Sequence, residues 1–171
     1  MKYFLCVAII FINIQAGVLD FKSIQSDFIQ TITNDQNSSI NYSGRFYATD
    51  SNKALWIYDK PIKKKVYFND KKVAIVEPEL EQVIVTTLQN SPNLTQIIKD
   101  AKKIKDNTYK ATYQDTDYFV EIKDGEIADI MYKDKLDNRV IIKLNNLQKN
   151  IIFDDSLFRV KVPSNYDIVD Q

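Results

Sequence analysis

INYSGRFYATDSNKALWIYDKP, residues 40–61, carries the alternation that decides the fold. From Ile40 to Thr49, Tyr42, Gly44, Phe46 and Ala48 fall on one face and Asn41, Ser43, Arg45 and Tyr47 on the other. That period of two is what a half-buried strand requires. Ala54 to Tyr58 is a second strand, stopped by Asp59-Lys60-Pro61. It puts Trp56 and Tyr58 on one face, and Phe46 can point the same way from the strand before it.

The same reading extends towards the C-terminus. Lys65 to Phe68 and Lys72 to Val76 are joined across Asn69-Asp70-Lys71, and Gln82 to Thr87 follows the turn at Glu77-Pro78-Glu79. Thr108 to Tyr113, Tyr118 to Lys123, Glu126 to Lys133 and Val140 to Leu147 continue the pattern, with a hairpin at Asp124-Gly125 and a turn around Leu136-Asp137-Asn138. An irregular stretch, Ile151 to Leu157, leads to a last strand, Phe158 to Val162, and the turn Pro163-Ser164-Asn165. Short β segments joined by tight turns predict an antiparallel meander.

Two stretches read as helices. Leu19, Phe21, Ile24, Phe28 and Ile32 recur at helical spacing between Val18 and Ile32, with Lys22, Ser23, Gln25, Ser26 and Asp27 between them, which predicts an amphipathic N-terminal helix. Ser91-Pro92 supplies a cap and a proline for the first helical position, and Leu94, Ile97, Ile98 and Ala101 trace an apolar stripe to about Lys102. The expected architecture is mainly β (α+β), an unclosed antiparallel β-barrel of about 10–11 strands with 2–3 helices forming a lid.

At the N-terminus, Lys2 followed by the apolar run Phe4 to Ile14 and by Gln15-Ala16-Gly17 reads as a signal peptide, residues 1–16, cut after Ala16. Residues 17–171 are then one exported, soluble domain, and no second apolar run follows that could span a bilayer. Cys6, the one cysteine, lies in the removed segment, so the processed chain has neither disulfide nor thiolate site. Packing alone must stabilise it.

Several function classes are excluded. With 23 basic and 23 acidic residues, no net field recommends nucleic acid. Lys63-Lys64-Lys65, the one dense basic run, reads as a strand edge guarded against aggregation. The absence of histidine removes the Ser-His-Asp triad and the His-Glu-x-x-His metal site. Gly17, Gly44 and Gly125, the only glycines, are too far apart for a phosphate-cradling loop. Glu77, Glu79 and Glu81 alternate beside a proline turn and read as solvated. We therefore expect no enzyme, no metal and no cofactor.

The aromatics say more: ten tyrosines, nine phenylalanines and one tryptophan, with Phe46, Trp56 and Tyr58 able to line a concave wall. Periodicity alone leaves a filled core and a ligand cavity both open.

Several stretches together resemble the outer-membrane lipoprotein carrier (LolA) family. Phe28-Ile29-Gln30 is similar to the family's opening Phe-x-Gln, and Gly44 through Phe46 with Trp56-Ile57-Tyr58-Asp59-Lys60-Pro61 to its strand pair ending in Trp-x-x-x-x-Pro. Val76-Glu77-Pro78-Glu79-Leu80-Glu81-Gln82-Val83 resembles its Tyr-x-Pro-x-x-x-Gln hairpin, and Asp137 with Phe158-Arg159-Val160-Lys161-Val162-Pro163 its C-terminal strands. The resemblance implies a monomeric periplasmic chaperone that takes acylated outer-membrane lipoproteins from an inner-membrane ABC exporter and hands them to an outer-membrane receptor where one exists. On this reading the acyl chains meet Phe46, Trp56 and Tyr58 from the sheet, Phe21, Ile24 and Phe28 from one helix, and Leu94, Ile97 and Ile98 from the other. The family's lid-binding arginine is missing, since Asp50 falls at its place, and Lys53 is the candidate lid latch in its stead. A periplasmic lipid-binding or sensor module with the same half-barrel is the alternative.

Overall fold

The computed structural model describes residues 17–88 and 94–170. The stretch read as a signal peptide and the Ser91-Pro92 helix start lie outside them. Along the described chain run β1 (Ser23–Thr33), β2 (Ser39–Thr49), β3 (Lys53–Lys60), β4 (Lys64–Asn69), β5 (Lys72–Glu77) and β6 (Gln82–Thr87). Helix α1 (Leu94–Asp100) follows, and then β7 (Lys102–Lys105), β8 (Thr108–Tyr113), β9 (Thr116–Lys123), β10 (Glu126–Lys133), β11 (Arg139–Lys149) and β12 (Asp167–Asp170). All twelve strands join one sheet in the order β12-β6-β5-β4-β3-β2-β1-β11-β10-β9-β8-β7. Neighbours are antiparallel except β12, which runs parallel to β6. A twisted sheet of this width curls, and with β12 and β7 at its two ends it curls without closing.

The N-terminal segment departs from expectation: Ser23–Thr33 is a strand at the centre of the sheet, paired with β2 along its whole length and with β11. The reason lies in the spacing. Ile24, Phe28 and Ile32 are four apart, which suits both a helix face and alternate positions of a strand. Ser26 lies between them on the same strand face, buried, and donates its hydroxyl to the carbonyls of Asp27 and Asn145 at 2.7 Å. A buried serine is satisfied here by the backbone of its own strand and of β11. Ile24, Thr31, Ile32 and Thr33 add the β-branching that favours a strand.

Two further corrections concern the C-terminal region and the helix count. Phe158 to Val162 is not a strand. Asp155–Phe158 forms a 3-10 turn, capped by the Asp154 carboxylate accepting from the Ser156 N–H at 2.8 Å. Phe158 enters the outer face of the sheet, and the chain then reaches the β6 edge as β12. Instead of two or three helices, the described residues hold one α-helix and two 3-10 turns, Pro78–Leu80 and Asp155–Phe158. Strands β7 and β12, four residues each and exposed throughout, bury no alternating face that a pattern could show.

Apolar side chains gather on both faces. On the concave face, Phe21, Ile24, Phe28, Phe46, Trp56, Ile97, Ile98, Val120 and Ile130 belong to one cluster, with α1 seated in the curve. On the convex face, Leu55, Tyr67, Val76, Val83 and Phe158 form a second.

The aromatic hollow as candidate binding site

Strand register assembles the site. Phe46 of β2 pairs with Trp56 of β3, and Gly44, two residues earlier, lies between Phe28 of β1 and Tyr58 of β3. All are on the concave face. Because Gly44 has no side chain, the rings of Phe28 and Tyr58 meet across it, edge to face at 5.2 Å. Phe28 also meets Trp56 edge-on at 4.9 Å, and Phe46 lies against Trp56 at 4.2 Å. Such packed aromatic pairs hold each other's rotamers and present a firm, apolar wall.

In front of this wall is a hollow of about 190 Å³. Trp56 and Tyr58 line it with Val66, Phe68, Tyr118 and Tyr132 from the sheet, and Leu94 and Ile97 close it from α1. The polar groups at its border are paired or neutral. The Tyr58 hydroxyl donates to Gln30 Oε1 at 3.2 Å. Burial, reinforced by the neighbouring Tyr132 and Tyr42, raises the Tyr58 phenol far above its ordinary value. Tyr132 is pushed up to about 12, again chiefly by burial and then by Tyr118 and Asp134. Both phenols are therefore uncharged at neutral pH, and none of the described residues lining the hollow is ionised. A surface of this kind suits an apolar guest.

All nine residues expected to meet acyl chains fall in the one concave cluster: Phe21, Ile24, Phe28, Phe46, Trp56, Ile97 and Ile98 are buried in it, and Tyr58 and Leu94 pack against it. Trp56, Tyr58, Leu94 and Ile97 border the hollow itself. Phe28 and Phe46 back the wall, and Phe21, Ile24 and Ile98 are among the fully or almost fully buried side chains. Phe21, Ile24 and Phe28 reach the cluster from β1 and the turn before it rather than from a helix. Val66, Phe68, Tyr118 and Tyr132 were not singled out from sequence. Their alternation on β4, β9 and β10 was legible, but which face of each strand meets the hollow depends on the register across the sheet.

Lys53 does not face the helix. Its ammonium lies 2.9 Å from Asp155 Oδ1 and ties β3 to the C-terminal 3-10 turn. The ion pair between α1 and the sheet joins Lys99 to Asp50, at 3.9 Å, and Lys99 also lies over the Phe21 ring at 5.8 Å. Glu77, Glu79 and Glu81 stand on the Pro78–Leu80 turn, where Glu77 accepts from Gln82 at 2.6 Å. Among the described residues no group of three or more acidic side chains could hold a metal ion.

Residues 20–120 match the family model described as outer membrane lipoprotein carrier protein LolA. The outer-membrane lipoprotein carrier protein of Campylobacter jejuni is 41% identical over 168 residues, covering 98% of each chain. That of Wolinella succinogenes is 34% identical over 150 residues, 87% of each. Among solved structures, an uncharacterized conserved protein of Thermus thermophilus aligns over 90% of this chain and 93% of its own with a TM-score of 0.54 at 10% identity. A LolA superfamily protein of Nitrosomonas europaea aligns over 81% and 90% with a TM-score of 0.50 at 12% identity. At such identities these two bear on the fold alone. On the family match and the identity to its curated members, the chain belongs to the outer membrane lipoprotein carrier protein LolA family.

Proposed function

We propose that this protein is a periplasmic carrier of outer-membrane lipoproteins, sheltering their acyl chains against the aromatic wall of Phe46, Trp56 and Tyr58. The observation that carries the reading is an aromatic-lined hollow on the concave face of an unclosed sheet, with one short helix seated across it through Leu94, Ile97 and Ile98. A triacylated terminus holds roughly 45 methylenes, and at ~0.8 kcal/mol each its exposure to water costs on the order of 35 kcal/mol. A carrier must cover that surface without polar groups that demand partners.

The hollow of about 190 Å³ is smaller than the ~300–1,000 Å³ of ordinary small-molecule pockets, so acyl chains require more room. Helix α1 is the element to supply it. It is seven residues long and meets the sheet through Ile97 and Ile98, with Lys99–Asp50 as its ion pair to the sheet. Swinging α1 outward exposes the aromatic wall to the guest, and the guest's methylenes replace the helix's apolar contacts. The Asp50–Lys99 pair then does what Lys53 was expected to do. Loading falls to an inner-membrane ABC exporter and unloading to an outer-membrane receptor or the membrane itself. Removal of residues 1–16 leaves a single monomeric domain, residues 17–171.

Trp56, the chain's one tryptophan, reports on the test. Titrating the protein with a synthetic triacylated lipopeptide should shift and saturate its fluorescence, and the unacylated peptide should leave it unchanged. Ile97→Glu, which puts a charge on the seated face of α1, should abolish capture in a protein that still folds. A Trp56 signal indifferent to acylation, or capture untouched by Ile97→Glu, overturns the reading. Saturation by free fatty acid with none by lipopeptide would make it a general lipid binder instead.

A further inference from the structure

The turn between β3 and β4, residues 61–63, stands on the rim of the sheet next to Tyr58. Tyr58, which lines the hollow, pairs with Lys64 at the start of β4. The Lys64 ammonium lies 4.7 Å from the centre of the Tyr58 ring and 5.5 Å from that of Tyr42. At the tip of the turn Ile62 is 51% exposed, with exposed Lys60 and Lys63 on either side and exposed Lys65 beyond. None of these three lysines has an ion-pair partner among the described residues. On the same rim the β10–β11 turn presents Leu136, 81% exposed, beside exposed Lys133, Lys135 and Arg139. Four strand spacings separate the two turns, roughly 19 Å along the sheet.

A strand edge guarded against aggregation explains the lysines and leaves the apolar tips unexplained. An isoleucine raised on a turn and ringed by unpaired lysines is what inserts at a bilayer interface, the side chain entering the acyl boundary and the ammonium groups meeting anionic headgroups. We propose that the β3–β4 turn docks this protein onto an anionic phospholipid bilayer, with Ile62 as the inserted residue, Lys60, Lys63 and Lys65 as the headgroup contacts, and Leu136 as a second apolar foot. The Tyr58 end of the hollow then lies nearest the membrane, and a chain leaving past Tyr58 has a short path into lipid. The acidic turn Glu77–Glu81 lies on the same rim beyond β5, and repulsion from the headgroups confines contact to the β3–β4 side. The docking surface stands by itself; its use for delivery rests on the carrier reading.

Flotation of the purified, unloaded protein with vesicles tests it. Binding to vesicles of phosphatidylglycerol and phosphatidylethanolamine at low salt is expected, with release at 0.5 M salt and no binding to phosphatidylcholine. Replacing Lys60, Lys63 and Lys65 together by Gln should weaken partitioning roughly a hundredfold, and Ile62→Asp roughly tenfold or more. All four positions are exposed, so thermal midpoints should match wild type, and a variant that fails this control is replaced by Ile62→Ser. Absence of binding to any vesicle, which would leave the turn to a protein partner, overturns the proposal, as does binding indifferent to both variants. Lipopeptide capture, read separately by Trp56 fluorescence, decides the carrier reading. Docking without capture sinks that reading alone, and capture without docking sinks this one alone.

Discussion

At the scale of single residues, the fold depends on where small and polar side chains permit unusual backbone. Twelve strands need many reversals, yet of the three glycines only Gly125 has positive φ. Asn37, Asn52, Asp70, Asn107, Asp124 and Asp137 take the left-handed conformation instead, with φ between 52° and 61°, because their short polar side chains tolerate it. Gly44 serves differently, for a Cβ there would overlap the Ile57 carbonyl. Gly44→Ala should therefore cost at least about 1–3 kcal/mol in urea unfolding and, by driving the β2 and β3 backbones apart, disturb the Phe28–Tyr58 contact. The tyrosines set the alkaline limit of stability. A phenol whose pKa is raised on folding contributes stability that is complete below its unfolded value of 10.0, and this is lost as pH climbs towards the folded value. For Tyr132, that window runs from 10.0 to about 12. The urea midpoint should fall across it, and Tyr132→Phe should flatten the fall.

At the scale of elements, β1 and α1 divide the labour. The central strand β1 is hydrogen-bonded on both sides and cannot leave without dismantling the sheet. Helix α1 is held by side chains alone, since among the described residues no ladder joins it to the sheet. Elements attached in that way open first. A half-exposed pair such as Lys99–Asp50 is worth ~0.2–1 kcal/mol, enough to bias a helix without fixing it. Lys99→Glu, which sets like charges side by side, should populate the open state and tighten lipopeptide binding about two- to fivefold. The exchange Asp50→Lys with Lys99→Glu should restore wild-type affinity, both read from Trp56 fluorescence. Expecting a helix at Val18–Ile32 failed at this scale: a spacing of four fits either periodicity, and the decision came from partners on both flanks that the local pattern does not contain.

At the scale of the whole molecule, the two faces of the sheet carry separate apolar clusters. The convex cluster around Phe158 is covered by the C-terminal segment, tied by Lys53–Asp155 at 2.9 Å, and leaves a hollow of about 330 Å³ beside Phe158, whereas the hollow of the concave face is the aromatic one. Phe158→Ala should cost about 3–5 kcal/mol of stability by chemical denaturation, yet leave lipopeptide capture intact wherever the protein remains folded, because the lost contacts lie across the sheet from Trp56. By itself, the amino-acid sequence determined the mainly β class, the paired strands around Phe46 and Trp56, the lack of imidazole and thiolate chemistry, and a family resemblance that the identity to curated carriers then matched. Alternation is local and survives in a single chain. The structure alone decided that the N-terminal segment is the sheet's central strand, that Phe158 turns into the back of the sheet, that Lys53 pairs with Asp155 while Lys99 of α1 pairs with Asp50, and that Val66, Phe68, Tyr118 and Tyr132 border the hollow. Each of these depends on register between strands far apart in the chain, and register is chosen by the summed burial of a whole face, which no short stretch of residues contains.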